Sequence, residues 1–288
     1  MKQLEQYKKV LEIGNKSKHT IRGYLKDINK LIKYFNIQDA SELEKISVEE
    51  YHRFYGNQNL TENSIKGLVR NLSAFFAYLV DSGVISKDNS FSRVKFGKSK
   101  FPKVTEKKKV ILSQEEAEML IQAGRNLQEK FMFAMMLKTA LRREEVCNIQ
   151  MSDINGCTIS LKSKGGSEDH ETYLDDGLCS MLNEYLKERN TESEYLFYAT
   201  RGFDGASGKL TGNTINKRVK SCVALSGIPK EKARRITAHT LRSFAITRMV
   251  LKNGLYAGQM LARHKSVETT KIYVNTGNEY VRELLLGE

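Results

Sequence analysis

One arginine, two histidines and a tyrosine fall near the end of this chain at spacings that suit chemistry on a phosphodiester. His239-Thr240-Leu241-Arg242 sets an imidazole and a guanidinium three residues apart, so on a helix both project from one face. Leu241, Phe244, Ala245 and Met249 follow at helical spacing and predict a rigid apolar backing for that face. His264-Lys265-Ser266-Val267-Glu268-Thr269-Thr270-Lys271-Ile272-Tyr273 then brings a second imidazole and a phenol. A guanidinium fork neutralises phosphate oxygens, an imidazole moves protons near neutral pH, and a phenol can attack phosphorus. Taken singly, each residue would fit a core or a surface, and the chain has 13 tyrosines. The order and spacing of the set carry the argument.

His-x-x-Arg, a histidine about twenty residues on and a tyrosine nine after that resemble the C-terminal signature of the tyrosine recombinases, or phage-integrase family. Upstream, Thr139-Ala140-Leu141-Arg142 is similar to the family's threonine-glycine-leucine-arginine, with Glu145 at its acidic position. The resemblance implies that Arg142 and Arg242 grip the nonbridging oxygens of the scissile phosphate. It implies a further hydrogen bond from His264, attack by Tyr273 to leave a 3′-phosphotyrosine, and proton transfer assisted by His239. Glu145 stands one helical turn after Arg142, where a carboxylate can fix the guanidinium's orientation. Arg143 is the rival for the role of Arg142.

In the family a hairpin lysine, commonly followed by glycine, protonates the departing 5′ oxygen. Lys164, followed by Gly165, matches best and Lys162 is the alternative. The chain departs from the family's usual glycine at Ala140 and Arg263, and from a frequent histidine at Ser243.

The elements that must position these groups are mostly helical. Apolar stripes through Tyr7 to Ile13, Thr20 to Phe35 and Ile65 to Leu79 predict a first helical part. Ser47 and Glu50 form a capping pattern, Thr61 opens a helix, and Gly83 ends it. Ser113 caps a new helix, and the run from Phe131 to Leu137 reads as a core helix. Cys157–Leu161 and Glu171–Leu174 read as hairpin strands flanking a polar loop. Helices are expected over 177–190 and 211–225, and Gly254 is expected to close the His239 helix.

The expected fold is therefore mainly α with a small β hairpin or sheet. With the family as guide, it is a two-domain DNA clamp. A helical, SAM-like core-binding domain would span 1–92, a basic linker 93–109, and a mixed α/β catalytic domain with a tail helix 110–288. Lys18, Arg22, Lys66 and Arg70 in the first domain, Lys98, Lys100 and Lys103 in the linker, and Lys217 and Arg218 on a later helix are the candidate DNA contacts.

A formal charge of +13 over 288 residues points to a polyanionic partner. No run reaches the ~18 apolar residues that span a bilayer, and the N-terminus has no signal-peptide core. Cys147, Cys157, Cys179 and Cys222 are scattered and are expected to be reduced core thiols of a cytoplasmic protein. Neither a metal site nor a nucleotide loop is indicated, so no cofactor is expected.

The function so implied is site-specific recombination of double-stranded DNA at core sites, without metal or ATP. A tetramer joined through the C-terminal tail, with accessory proteins, would be the working assembly. The first helices begin almost at residue 1, which favours an Xer-like recombinase or a small mobile-element integrase. A type IB topoisomerase and a catalytically idle DNA-binding module are the rivals.

Overall fold

A computed structural model describes residues 1–94, 110–162, 170–199 and 208–274. The chain divides into two units, Met1–Lys107 and Lys108–Glu288.

Four helices build the first unit: α1 (Lys2–Ile13), α2 (Lys18–Phe35), α3 (Val48–Gly56) and α4 (Glu62–Asp81). Their starts are written in side chains. The Ser17 hydroxyl accepts from the Thr20 backbone N–H, Ser47 and Glu50 bond each other's backbone reciprocally, and Thr61 accepts from Ser64. Each such cap satisfies a backbone donor that the helix cannot, and contributes about 1 kcal/mol. Gly83, with φ 68°, follows the end of α4 where the chain turns left-handed. The core is aromatic: Tyr51, Phe54, Phe75 and Phe76 are buried, and Phe91 stacks on Phe76 at 3.8 Å. Phe91 lies in the turn Ser90–Arg93, which thereby closes this unit. Asn71 donates to Asp27 at 2.7 Å and ties α4 to α2. Lys18, Arg22, Lys66 and Arg70 are exposed on those two helices, Lys66 within 2.6 Å of Glu62.

The second unit is organised around α6 (Leu127–Thr139), in which nearly every residue is buried. A helix apolar on all sides must be covered on all sides. α5 (Gln114–Gln122), α8 (Asp176–Glu188) and α11 (Ala238–Ala262) pack against it. Between them the chain forms α7 (Arg143–Asn148), β1 (Ile154–Asn155), β2 (Thr158–Leu161) and β3 (His170–Tyr173). Then come β4 (Tyr198–Ala199), β5 (Gly208–Lys209), α9 (Gly212–Leu225) and the short α10 (Lys230–Ala233).

β1, β2 and β3 form one antiparallel sheet in that order, with Ile159 opposite Thr172. Ile159 and Leu161 face the core and Ser160 faces solvent, the alternation of a half-buried strand. The hairpin agrees with its sequence pattern; β1 extends it, and β4 and β5 pair in a separate two-stranded sheet. The caps at Ser47 and Ser113 and the helices over 176–188 and 212–225 also agree. In α11, Gly254 (φ 86°, ψ 171°) breaks the helix in two where a stop was expected.

The cysteine expectation needs correction. Cys157 and Cys179 form a disulfide, with Cα atoms 5.3 Å apart, while Cys147 and Cys222 are buried free thiols. The hairpin explains the pairing. Leu174 donates to the Cys157 carbonyl at 2.8 Å, which sets the start of β2 beside the entry to α8. Cys179, in the first turn of α8, is then within the ordinary span of a disulfide. A separation of 22 residues gives no hint of this.

Lys98, Lys100 and Lys103, most of the basic linker, the Lys164 loop and the tail over 278–286 lie outside the described residues. Among the described residues no helix is long and apolar enough to cross a membrane.

Candidate active site

The site begins where α6 ends. Ala140 adopts a left-handed conformation (φ 53°) and Arg142, two residues on, becomes the N-cap of α7. Glu145 supplies what that helix start lacks: its carboxylate accepts from the Arg142 backbone N–H at 2.7 Å and from Arg142 Nη1 at 2.7 Å. One residue thus caps the helix and aims the guanidinium.

Arg242 enters from the second turn of α11 and is only 3% exposed. Its Nη1 donates to the Ala140 carbonyl and its Nη2 to the Ala262 carbonyl at 2.5 Å. Arg142 Nη2 reaches the Ala262 and Arg263 carbonyls, both at 3.4 Å, so both arginines converge on the same backbone. Burial, and then the neighbouring Arg142 charge, pulls the Arg242 pKa down to about 10, so it stays protonated at neutral pH.

His264 follows the last turn of α11. Its Nε2 lies 3.3 Å from Arg242 Nη2, and its Nδ1 2.9 Å from the Thr270 hydroxyl. A guanidinium can only donate, so Nε2 accepts, and Nδ1 carries the proton and donates to Thr270. Burial first, then the charges of Arg242, Arg142 and Arg263, lower the His264 pKa to about 4.

Tyr273 sits on the helical turns 268–274, three residues after Thr270 and on its face. It is 4% exposed, in an apolar cluster with Ala140, Ala245, Ile246, Val250 and Ala262. Its ring centre is 6.3 Å from that of His264. His239, in the first turn of α11, is exposed. Its helix start is held by α9, where Asn216 Oδ1 accepts from the Ala238 N–H at 3.0 Å.

Arg142, His239, Arg242, His264 and Tyr273 line one cavity of about 730 Å³. The structure thus gathers five of the sequence-derived candidates, with Glu145 behind them. Arg143 also reaches the rim, its Nε 3.4 Å from Glu144. Lys164 lies outside the described residues; Lys162 is engaged, its Nζ 3.0 Å from Asp153 and 3.2 Å from Gln150.

Arg218 requires correction as a DNA contact. Its side chain is 11% exposed, faces Glu129 at 3.8 Å and donates to the Tyr198 carbonyl at 3.2 Å. Glu129 is 2% exposed and also holds Arg125. Arg218 therefore serves an internal ion cluster. Lys217, its neighbour, is exposed.

Sequence reasoning passed over two residues. Thr270, fully buried, holds His264; its signal was its place one helical turn before Tyr273. Arg263 donates to Glu145 at 2.9 Å and to the Ala140 carbonyl at 3.3 Å. Its signal was its departure from the family's glycine.

Arg142, Arg242 and Arg263 around Glu145, with Arg143 paired to Glu144 at the rim, leave an excess of positive charge beside a cavity that also holds two imidazoles and a phenol. Such a site can bind an anionic phosphodiester and present a hydroxyl nucleophile to it. The class these features fit is a phosphoryl-transfer enzyme.

Comparison with known proteins narrows the class. Residues 111–279 match the phage integrase family and residues 4–83 its N-terminal SAM-like domain. The chain belongs to the phage integrase family and is a tyrosine recombinase. Tyrosine recombinase XerA of Pyrococcus horikoshii is 26% identical over 285 residues, covering 98% of this chain and 92% of that protein. Tyrosine recombinase XerD of Vibrio cholerae is 26% identical over 290 residues, covering 93% and 89%. The fold is shared with the XerH recombinase bound to palindromic difH in a post-cleavage complex: TM-score 0.73, 22% identity, 98% of this chain and 83% of that one. A lambda integrase dimer bound to a COC′ core site gives 0.74 at 18% identity, covering 94% and 76%.

Proposed function

We propose that this chain exchanges DNA strands between two core sites through a 3′-phosphotyrosine intermediate. One observation carries the proposal: Arg142, His239, Arg242, His264 and Tyr273, spread over 132 positions of the sequence, line a single cavity. In this reading Arg142 and Arg242 hold the nonbridging oxygens and stabilise the charge that grows toward the pentacoordinate state. Burial and the arginine charges keep His264 neutral; the incoming phosphate opposes those charges, favouring an imidazolium that can donate from Nε2. Tyr273 leaves its apolar cluster and attacks phosphorus, with His239 assisting removal of the phenolic proton. Lys164, or Lys162, protonates the departing 5′ oxygen. Attack of a 5′ hydroxyl from the partner site on the phosphotyrosine then rejoins the strand and restores the enzyme.

The same proposal sets a basic linker over 93–109 between a DNA-binding domain at 1–92 and the catalytic domain at 110–288. It takes the exposed Lys18, Arg22, Lys66, Arg70 and Lys217, with Lys98, Lys100 and Lys103, as backbone contacts. A tetramer joined through the tail is the proposed assembly, in keeping with a lambda integrase tetramer bound to a Holliday junction.

Covalent trapping tests the chemistry. Wild type and Tyr273→Phe are incubated in EDTA with nicked duplexes carrying candidate core sites. Wild type is expected to give a DNA-shifted protein band and the variant none. A band that persists in Tyr273→Phe moves the nucleophile elsewhere. Tight binding without any band sinks the proposal in favour of a DNA-binding module.

A further inference from the structure

Arg263 has a position that a side chain with a Cβ adopts only at a cost. Its backbone is left-handed, φ 53° and ψ 48°, the region glycine favours and the residue type the family usually has there. Its guanidinium is nevertheless drawn inward, with the side chain 10% exposed and Nε buried without a hydrogen-bond partner. Backbone strain and an unsatisfied buried donor together are not explained by packing, since glycine would avoid both. What the guanidinium gains is a contact with Glu145 Oε2 at 2.9 Å and the Ala140 carbonyl at 3.3 Å. Glu145 Oε1 is the oxygen that holds Arg142 Nη1, and the Ala140 carbonyl is the one that receives Arg242. Arg263 therefore touches the support of each phosphate-facing arginine. It does not line the cavity itself.

We infer that Arg263 is a positioning residue that locks Glu145 and the Ala140 carbonyl in place and so fixes Arg142 and Arg242 for the phosphate. The inference rests on the tyrosine-recombinase chemistry proposed above. Its physical content is twofold. Glu145, held from two sides, loses the freedom to swing Arg142 away from the cavity. Its negative charge is also shared, so the carboxylate opposes an incoming phosphate less than it would with Arg142 alone.

The test compares wild type with Arg263→Gly, Arg263→Lys, Glu145→Gln and the Arg263→Gly/Glu145→Gln double variant. Glycine suits the left-handed backbone, and melting temperatures check that every variant folds. Single-turnover cleavage of a trapping duplex at saturating protein should slow roughly ten- to hundredfold in Arg263→Gly, with DNA affinity within about threefold of wild type. Arg263→Lys should recover part of the rate, because an ammonium can also reach Glu145. Added to Glu145→Gln, the glycine substitution should cost little more. Full activity in Arg263→Gly, or an equal loss with and without Glu145, overturns the inference.

A second readout does not depend on cleavage. NMR titration of the Glu145 carboxyl should give a higher pKa in Arg263→Gly than in wild type. An unchanged titration removes the contact, and the inference with it, whatever the DNA does. A wild type that forms no covalent complex counts against the proposed function alone.

Discussion

His264 Nδ1 lies 2.9 Å from the Thr270 hydroxyl while Nε2 lies 3.3 Å from Arg242 Nη2, and because a guanidinium only donates, the proton of the neutral ring sits on Nδ1 and points to Thr270. With Nε2 turned to Arg242, the ring is held neutral and its free nitrogen lone pair points at the arginine. The free protein should therefore show His264 as the Nδ1–H tautomer, without titration between pH 5 and 8. Histidine-selective NMR checks this, and a midpoint near the ordinary 6.5 contradicts it. The consequence for stability has a definite sign. The folded pKa, about 4, is below the unfolded one, so the unfolded chain binds more protons in between. The contribution is fully present above about pH 6.5 and is lost as pH falls toward 4. Thr270→Val should slow cleavage roughly tenfold while leaving DNA affinity alone.

The two cavity arginines differ in what else they do. Arg242 is buried and bonded to the ends of two segments, whereas the Arg142 side chain is 44% exposed. Arg242→Ala should destabilise the fold by about 3 kcal/mol, since it empties a buried site and leaves the Ala140 and Ala262 carbonyls only the longer contacts of Arg263 at 3.3 Å and Arg142 at 3.4 Å. Arg142→Ala should cost less than about 1 kcal/mol, an exposed ion pair being worth little. Urea unfolding measures both, and equal costs would refute the division. Covalent trapping should fail for each.

Neighbours on α9 should also separate. Lys217→Ala is expected to weaken DNA binding and reduce the salt slope by about one, without changing stability. Arg218→Ala should lower stability by roughly 2–3 kcal/mol, because it strips Glu129 of one cation and the Tyr198 carbonyl of its donor. Salt-dependent binding paired with thermal unfolding tells them apart. A salt slope altered in Arg218→Ala and not in Lys217→Ala would reverse the assignment.

Local grammar made much of the fold readable in advance. Ser47 with Glu50 and Ser113 with Glu116 announce their helices, because a cap is a contact between residues three apart. The alternation of Ile159, Ser160 and Leu161 announces a strand. Strands β1, β4 and β5 are two residues each, too short to leave a period. Arg218 read as exposed because nothing local reveals Glu129, 89 positions earlier, as its partner. Within the site, the type and order of the arginines, histidines and tyrosine were legible. The role of Arg263 was not: it depends on Glu145, 118 residues away, which only the packing of α11 beside α7 supplies.

The left-handed turns at Ala140 and Arg263 have one more effect. They end α6 and α11, so the carbonyl ends of two helices meet around Arg242. A helix carries about half a negative charge at that end. Arg242 thus occupies the focus of two negative helix poles, which favour its charge where solvent has been excluded. The dipoles are set when the helices form and need no rearrangement when a phosphate arrives. Two backbone carbonyls at helix ends thus anchor this guanidinium ahead of any encounter with DNA.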